Sequence, residues 1–291
     1  MQPTLGNFGD LTLNEVEGQI PESGLVMYIC PLCQAPLLQQ AQQFRCPQRH
    51  SFDLAREGYV NLLPVQQKKS KDPGDNQLMM QARRQFLQAG WYQPVVTALL
   101  EQLSALAVSE LLDLGCGEGY YSGQLQQALP ALTINGVDIS KAAIKAAAKQ
   151  YPQVRFAVAS SYQLPFAAAS FDAILRIYAP SLDAELCRVL RDGGALFSVS
   201  PAPEHLKEVK AAVYPQVRLH SAEVVAIDGL QHVQRQRLSF SLQLPADDLK
   251  ALITMVPLGW KFSPPALEHF IAGAPAISCD FYLDRYQKPL P

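Results

Sequence analysis

Residues 111–119 read LLDLGCGEG, an apolar run that carries one acidic residue and ends in three closely spaced glycines. Such a run indicates a buried strand, and the glycines indicate a tight turn after it. Asp113 lies two positions before Gly115, the first residue of the G-x-G-x-G pattern. The dinucleotide fingerprint G-x-G-x-x-G has its third glycine one position later, so this turn is not predicted to hold a pyrophosphate.

The segments after this turn alternate between strand and helix patterns. Strand patterns lie at 133–138, 155–159, 171–177 and 195–200, and helix patterns lie near 120–129 and at 140–151. Strands that alternate with helices at this spacing indicate βαβ units and a parallel sheet. The late runs LSFSLQL and AISCDFYLDRY are rich in β-formers and predict further strands, with an antiparallel arrangement left open. The sequence therefore predicts an α/β fold over residues 110–291.

Polar residues end the predicted strands at the sheet edge where open α/β sheets bind ligands. Asp138 ends the strand TINGVD, 23 positions after Gly115, and can accept hydrogen bonds from both hydroxyls of a ribose. Asp113 can anchor the turn or meet the ammonium group of a methionine moiety, and a capping role for the following helix is the alternative for Asp138. The candidate cofactor residues of this pattern are Asp113, Gly115, Gly117, Gly119, Asp138 and, beside the expected adenine, Ser160. The arrangement resembles the class I (Rossmann-like) S-adenosylmethionine-dependent methyltransferases.

Three cysteines and a histidine near the N-terminus have the spacing of a zinc site. Cys30, Cys33, Cys46 and His50 form the pattern C-x2-C-x12-C-x3-H. Zinc takes four nitrogen or sulfur ligands in a tetrahedron, and two short pairs joined by a loop supply them. Four protein ligands leave no open coordination position, so we predict one structural zinc ion per chain. The alternative is four unrelated residues with coincidental spacing.

Composition indicates a globular protein of the cytoplasm. Of the 291 residues, 48% are hydrophobic and 17% are charged, and no apolar run approaches the ~18 residues of a membrane span. The N-terminus has no signal-peptide pattern, so disulfides are not expected among the six cysteines. The predicted organisation is a disordered extension at 1–26, a zinc-binding RNA-recognition module at 27–66, a basic linker with helices at 67–109 and the methyltransferase domain at 110–291.

Positive charge is concentrated in one part of the chain. Residues 28–100 hold eight Lys or Arg against four Asp or Glu, a balance of +4 in a chain whose net charge is −2. Such a local excess is typical of a phosphate-facing surface, with a merely solvated face as the alternative. The predicted zinc module interleaves basic and aromatic side chains that suit phosphate contacts and base stacking, namely Arg45, Arg49, Arg56, Phe44, Phe52 and Tyr59. At least one of these aromatic residues is expected in the core.

With both patterns considered, the chain resembles the RlmA family of bacterial 23S ribosomal RNA (guanine-N1)-methyltransferases over about residues 28–286. The segments that carry the resemblance are YICPLCQAPL, FRCPQRHSFDLAREGYVNLLPVQ, DPGD, MMQARRQFLQAGWYQP, LDLGCGEGYY, AIKAAAKQYPQV, VASSYQLPF and RIYAP. The resemblance implies zinc on the four residues above and cofactor contacts from Gly117, Glu118, Tyr92 and His205. It also implies a homodimer that binds an RNA hairpin.

Methyl transfer to guanine N1 requires removal of the N1 proton by a base within hydrogen-bond reach. In the segment RIYAP, Tyr178 is a candidate to stack on the base, and Arg176 is a candidate to stabilise negative charge on O6. An unpaired or flipped guanine in a hairpin loop is the expected substrate because a stacked base in a duplex is inaccessible.

Three other functions are alternatives to this one. A non-catalytic RNA-binding or ribosome assembly factor would need no intact glycine turn, and the turn is intact. A methyltransferase of small molecules would need no zinc module or local positive charge. An NAD-linked oxidoreductase is disfavoured by the glycine spacing.

Overall fold

The computed structural model describes residues 28–65 and 77–291. The predicted extension at 1–26 and the lysines of the predicted linker (Lys68, Lys69 and Lys71) lie outside the described residues. The strands are β1 (Leu38–Gln40), β2 (Gln43–Arg45), β3 (Ser51–Asp53), β4 (Val60–Asn61), β5 (Glu110–Leu114), β6 (Thr133–Asp138), β7 (Arg155–Val158), β8 (Phe171–Ile177), β9 (Leu190–Pro201), β10 (Gln231–Leu242) and β11 (Ile277–Gln287). The helices are α1 (Gln77–Gln88), α2 (Gln93–Ser104), α3 (Tyr120–Ala128), α4 (Lys141–Gln150), α5 (Asp183–Val189), α6 (Lys207–Val213), α7 (Ala246–Met255) and α8 (Pro264–Ala272), with a 3-10 turn at Pro257–Lys261.

Eight of these strands form one mixed sheet in the order β10-β11-β9-β8-β5-β6-β7-β4. The strands from β4 to β9 pair in parallel, and β11 is antiparallel to both β9 and β10. The predicted α/β fold is confirmed, and the late strands are antiparallel. The chain order reverses between β5 and β8, and open sheets bind ligands beside such a reversal.

Alternating side chains of the central strands fill two separate cores. Leu111 and Leu175 pack into the core that also holds α1 to α4, whereas Leu112 and Ile174 pack into the core that holds α5. All five residues of β5 are buried, as expected for a parallel strand covered by helices on both faces. Each leucine buried in this way stabilises the fold by roughly 1.5–3 kcal/mol.

The N-terminal module is joined to the large sheet. Its small antiparallel sheet β1-β2-β3 leads into β4, which pairs in parallel with β7 at the edge of the large sheet. The amide of Ile29 donates to the carbonyl of Pro165 at 3.0 Å, and the ring of Tyr28 stacks on Phe166 at 5.2 Å. The predicted boundary near residue 66 therefore falls after a strand that already belongs to the large sheet.

Several elements were not predicted from the sequence. The short helices α5 and α6, and α7 and α8 near the C-terminus, had no assigned pattern, whereas α1 to α4 confirm the predicted helices. Among residues 28–65 and 77–291, no helix has the length and apolar character needed to cross a bilayer.

Candidate active site and metal centre

Cys30, Cys33, Cys46 and His50 converge on one point. The His50 Nδ1 atom lies 3.4 Å from the Sγ atoms of both Cys30 and Cys46, and the sulfurs of Cys33 and Cys46 are 3.6 Å apart. All four ligand atoms lie within 4.8 Å of one another. Zn–S bonds of about 2.3 Å and Zn–N bonds of about 2.0 Å in a tetrahedron require separations of about 3.5–3.8 Å between ligands, so the donor set fits zinc.

Two tight turns aim the ligands of this cluster. Gln34 and Arg49 have positive φ values of 61° and 66°, and the amide of Arg49 donates to the Cys46 carbonyl at 2.9 Å. Burial raises the pKa of the Cys30 thiol to about 11. Because zinc binds the thiolate, metal binding must expel this proton.

The glycine turn after β5 contains two glycines fixed by packing and one that faces open space. Gly115, Gly117 and Gly119 all have positive φ values, between 55° and 76°. A Cβ atom on Gly115 would overlap the Ala179 side chain, and one on Gly119 would lie 2.8 Å from the Phe156 ring. A Cβ on Gly117 would meet no atom within 4 Å. Gly117 is thus where a ligand can approach the backbone of this turn.

Two carboxylates flank the turn at the ends of β5 and β6. Asp113 is 3% exposed and accepts a hydrogen bond from Ser122 Oγ at 2.5 Å. Burial, with a smaller contribution from the Asp138 charge, raises the pKa of Asp113 to about 6 against the opposing Ser122 hydrogen bond. Asp138 accepts from the amides of Gly117 at 3.0 Å and Ser140 at 2.7 Å.

The helix-cap alternative for Asp138 is wrong. Ser140 is the N-cap of α4, and its Oγ accepts from the Ala143 amide at 3.3 Å. The Asp138 carboxylate instead ties the end of β6 to the glycine turn. A carboxylate at this position is of the type that accepts ribose hydroxyls.

Ser160 and Glu118 lie at the same edge but are already engaged. Ser160 Oγ accepts from the Tyr162 amide at 3.2 Å in the turn after β7. The Glu118 carboxylate forms an ion pair with Arg84 of α1. Any contact of Glu118 with a ligand is therefore expected through its backbone more than through its carboxylate.

Aromatic rings line the site at the ends of β8 and β11. Tyr92 is 5% exposed and packs edge-on against Phe86 and Phe281 at 5.0 and 5.1 Å. Burial raises the pKa of Tyr92 well above its ordinary value. Tyr178, at the end of β8, has a φ of 55° and a side chain that is 52% exposed. Such a strained conformation at a ligand-binding edge is typical of functional positions.

His205 follows β9 and lies next to Tyr178, with 6.3 Å between the ring centroids. Its Nδ1 accepts a hydrogen bond from the Asp280 amide at 3.3 Å, so the neutral ring carries its proton on Nε2. Burial, together with the positive charges of His220 and Lys210, lowers the pKa of His205 to about 3. His205 is consequently a neutral hydrogen-bond donor on its free side.

Arg176 points away from this group. By strand alternation it shares a face of β8 with Ile174, whereas Asp113 lies on the opposite face of the sheet. Its guanidinium donates to Ser198 Oγ at 3.0 Å and Ser181 Oγ at 2.9 Å. The structure therefore brings Tyr178, His205 and Tyr92 together and leaves Arg176 on the other side.

The arginines of the N-terminal module are more accessible than its aromatic residues. Tyr59 is buried in the core that also holds α1 to α4, whereas Phe44 and Phe52 are partly buried against the other core. Arg45 and Arg49 are exposed and border a shallow cavity of about 250 Å³ beside Cys46. Of the three rings, Tyr59 is therefore the one that burial removes from any base-stacking surface.

Sequence reasoning missed two titratable residues near the site, Lys210 of α6 and His220 of the following loop. Lys210 is buried, and the ring of His220 lies 6.3 Å from that of His205. No sequence motif contains either residue, because α6 is only seven residues long and His220 lies in the loop after it.

The fold and the two sites define a class I S-adenosylmethionine-dependent methyltransferase with a zinc ribbon. Residues 28–71 match the family model of the RlmA N-terminal zinc ribbon, and residues 111–194 match a methyltransferase domain. The 23S rRNA (guanine(748)-N(1))-methyltransferase of Streptomyces fradiae is 34% identical over 263 residues, which cover 87% of this chain and 93% of that protein.

Two other relatives carry the provisional description 23S rRNA (guanine-N(1)-)-methyltransferase. The protein from Micromonospora griseorubida is 32% identical, covering 84% of this chain and 90% of the relative. The protein from Bacillus subtilis is 30% identical, covering 80% and 87%. The chain belongs to the RlmA family of 23S rRNA (guanine-N1)-methyltransferases.

Proposed function

We propose that this protein transfers a methyl group from S-adenosylmethionine to N1 of a guanine in a hairpin loop of 23S ribosomal RNA. The observation that carries the proposal is the combination, in one chain, of the Asp113–Asp138 edge with a closed Cys3His cluster. The choice of guanine and of its N1 atom follows the names of the relatives at 30–34% identity.

The residues at the carboxyl edge fit S-adenosylmethionine. The bound cofactor supplies a methyl group on a positively charged sulfonium. Gly117 offers backbone that a ligand can approach, Asp138 offers a carboxylate that can accept hydrogen bonds from a ribose, and the buried Asp113 offers negative charge to the methionine ammonium. The Nε2 proton of His205 and the aromatic wall at Tyr92 would complete the methionine end of the pocket.

The half-exposed ring of Tyr178 provides a surface on which a flipped guanine can stack. Catalysis of methyl transfer then depends chiefly on holding N1 in line with the methyl group. We expect Tyr178→Ala to reduce kcat/KM by about 5–150-fold, the effect of losing ~1–3 kcal/mol of base stacking. Arg176→Gln should change kcat/KM far less, because its guanidinium faces the other side of the sheet. A larger loss in Arg176→Gln would contradict this arrangement.

Recognition of the RNA backbone is assigned to the N-terminal module. Arg45 and Arg49 are exposed and form no ion pair among the described residues. Deleting the module is a poor test because it would remove β4 from the catalytic sheet. Single substitutions of these arginines leave the fold intact and are preferred.

The decisive experiment is tritium transfer from labelled S-adenosylmethionine into unmodified 23S rRNA, followed by nuclease digestion and nucleoside mass spectrometry. Recovery of 1-methylguanosine, abolished by Asp138→Ala and retained by the exposed control Asp247→Ala, is the expected result. Cofactor binding without incorporation into RNA would favour the assembly-factor alternative. Methylation of small molecules alone would favour the small-molecule alternative.

The proposal extends to location and assembly. An enzyme that acts on ribosomal RNA is expected in the cytoplasm, and the family resemblance favours a homodimer. Light scattering on the purified protein tests the dimer, and a monomeric mass at micromolar concentration would remove that part of the proposal.

A further inference from the structure

The turn that carries His205 continues along strand β11 after the pairing of β9 with that strand has ended. Pro201, opposite Phe281, is the last residue of β9 in the pairing. The amide of Ala202 then donates to the carbonyl of Asp280 at 2.9 Å. The edge of β11 that pairs with β9 therefore goes on to bind the turn, and β11 fixes the position of His205.

Asp280 holds this turn through its carbonyl, its carboxylate and its amide. The carbonyl accepts from Ala202, the Oδ2 atom accepts from the amide of Glu204 at 3.0 Å, and the amide donates to Nδ1 of His205 at 3.3 Å. Leu206, the next residue, has a φ of 54°. A left-handed backbone at a residue with a Cβ atom is strained, so surrounding contacts must hold it. Asp280 supplies several of the contacts that hold the turn.

The carboxylate of Asp280 is itself fixed by Arg237 of the neighbouring strand β10. The Nε and Nη2 atoms of Arg237 donate to the two carboxylate oxygens, each at 2.8 Å. Asp280 is completely buried, and burial alone would raise its pKa. The hydrogen bonds from Arg237 and from the Glu204 amide outweigh that effect and lower the pKa, so the group is charged at neutral pH. Two parallel hydrogen bonds of this kind also fix the geometry of an ion pair.

Short contacts connect His205 to the glycine turn after β5. The ring of His205 lies 4.6 Å from that of Phe281 and 6.3 Å from that of Tyr178. Ala179, the residue after Tyr178, lies directly against Gly115, because a Cβ atom on Gly115 would overlap its side chain. His205 and the glycine turn therefore lie at the same carboxyl edge, on the two sides of the end of β8.

The free nitrogen of His205 is a hydrogen-bond donor that the protein leaves unused. Because Nδ1 accepts from the Asp280 amide, Nε2 carries the proton of the neutral ring. Among the described residues no group accepts this proton, and Nε2 is not one of the fully enclosed polar atoms. The methionine end of S-adenosylmethionine carries a carboxylate, which a neutral N–H group can bind without any transfer of a proton.

We propose that Arg237 and Asp280 form a positioning pair that orients His205, so that its Nε2 proton binds the methionine carboxylate of S-adenosylmethionine. This inference rests on the proposed place of His205 at the methionine end of the pocket. Asp280 is fully buried, so it acts through His205 and not on the cofactor itself. Without the pair the turn gains freedom, and binding of the cofactor must then restrict it again at a cost in affinity.

The same two strands hold a second ion pair of the same kind, which provides a matched control. Asp284, four residues further along β11, is 3% exposed and accepts from Nε and Nη2 of Arg235 at 2.7 and 2.9 Å. Arg235 also donates to the carbonyl of Glu223 at 3.2 Å, in the loop before β10. Substitution of either aspartate therefore breaks a buried ion pair between β10 and β11, but only Asp280 holds the turn of His205.

The test measures the binding of two ligands to the full-length zinc-loaded protein by calorimetry. S-adenosylmethionine carries the methionine carboxylate, whereas methylthioadenosine lacks the amino-acid part of the cofactor. The variants are Asp280→Asn, His205→Ala, the double variant that combines them, and the control Asp284→Asn. The melting temperature and the nitrogen chemical shifts of the His205 ring are recorded without ligand, so that the turn is followed independently of binding.

We expect His205→Ala to weaken S-adenosylmethionine binding about 10–150-fold, the effect of losing a hydrogen bond to a charged group. Asp280→Asn should weaken it by part of that factor, at least about fivefold, and should shift the His205 nitrogen signals. The double variant should bind as His205→Ala does, because both changes remove one interaction. Methylthioadenosine should bind every variant with wild-type affinity. Asp284→Asn should melt at a lowered temperature, as Asp280→Asn does, and keep wild-type affinity for both ligands.

Several results would overturn the inference. Wild-type affinity for S-adenosylmethionine in Asp280→Asn or in His205→Ala removes that residue from cofactor binding. Additive losses in the double variant show that Asp280 does not act through His205. Equal weakening of both ligands, or an equal effect of Asp284→Asn, assigns Asp280 a purely structural role. Failure of the wild type to bind S-adenosylmethionine would instead refute the proposed function itself.

Discussion

Alanine substitutions at two glycines of one turn should separate the stability of the fold from binding of the cofactor. Gly117 and Gly119 both have left-handed backbone conformations, which cost a residue with a Cβ roughly 1–2 kcal/mol. A Cβ on Gly119 would lie 2.8 Å from the Phe156 ring and 3.0 Å from Ala147 Cβ, and overpacking of this kind costs typically 1–3 kcal/mol more. Gly117 has no such neighbour.

We therefore expect Gly119→Ala to lower the free energy of unfolding by about 2–5 kcal/mol and Gly117→Ala to lower it by only about 1–2 kcal/mol. The order of the two variants should reverse in calorimetric titration with S-adenosylmethionine. The new methyl group of Gly117→Ala occupies the space above the turn, and a loss of at least about tenfold in affinity, or ~1.4 kcal/mol, should follow. Urea denaturation without cofactor gives the stabilities.

Gly58→Ala is the matched control for backbone strain. Gly58 also has a positive φ, 91°, with no atom near its hypothetical Cβ, and it lies in the N-terminal module. This variant should lose stability as Gly117→Ala does while it keeps cofactor affinity. Native affinity in Gly117→Ala would refute the placement of the ligand over this turn, and equal destabilisation of the Gly117 and Gly119 variants would refute the packing argument.

Three further predictions concern the metal, pH and RNA. Cys46→Ser should abolish stoichiometric zinc and lower the melting temperature, measured by metal analysis and calorimetry, and a metal-free variant with native stability would show that zinc is dispensable. The pKa of Asp113 is raised to about 6 in the folded protein, so this group stabilises the fold at low pH. That stabilisation, about 3 kcal/mol at most, is lost as the pH rises from about 4 through 6. Asp113→Asn should remove this term from pH-dependent denaturation curves, and an unchanged curve would count against the assignment. Arg45→Ala and Arg49→Ala should each reduce the salt slope of RNA binding by about 0.7–0.9, and an unaltered slope would place the RNA elsewhere.

The parts of the site that sequence predicted are those in which a residue type and a strand end coincide. Asp113 is the second-last residue of the buried strand β5 and Asp138 is the last residue of β6, so their position at the carboxyl edge follows from the strand patterns. Cys30 and Cys46 each begin a short ligand pair, and such spacing defines a metal site without knowledge of the fold. At these positions the local sequence pattern alone predicts where the residue lies in the fold.

The positions of other residues were predicted less well, because they depend on which face of a helix or strand is covered by another part of the fold. Arg176 and Tyr178 are separated by two positions, which suggests one shared face, but the positive φ of Tyr178 breaks the alternation and turns its ring toward His205. Phe52 and Tyr59 pack inward only because the N-terminal module lies against the large sheet. No local signal reports such contacts.

Lys210 is another residue whose position the sequence does not predict. A lysine in a short helix is normally exposed, so its type argues for the surface. It is buried because α6 packs on β11, a strand 67 positions or more along the chain from this residue. A residue whose burial contradicts its type can be recognised only after the long-range contact is known.

The zinc cluster is connected to the strand end that carries Asp138 through the pairing of β4 with β7. Cys30 and Cys46 pack in the same core as Val60, whose strand β4 is bonded to β7 through Ala157. The residue that follows β7, Ala159, donates its amide to the Asp138 carbonyl at 3.0 Å. We therefore expect loss of zinc to loosen β4 first and then the strand ends that hold Asp138. On this reasoning the structural metal supports the geometry of the proposed cofactor pocket, although it does not line that pocket.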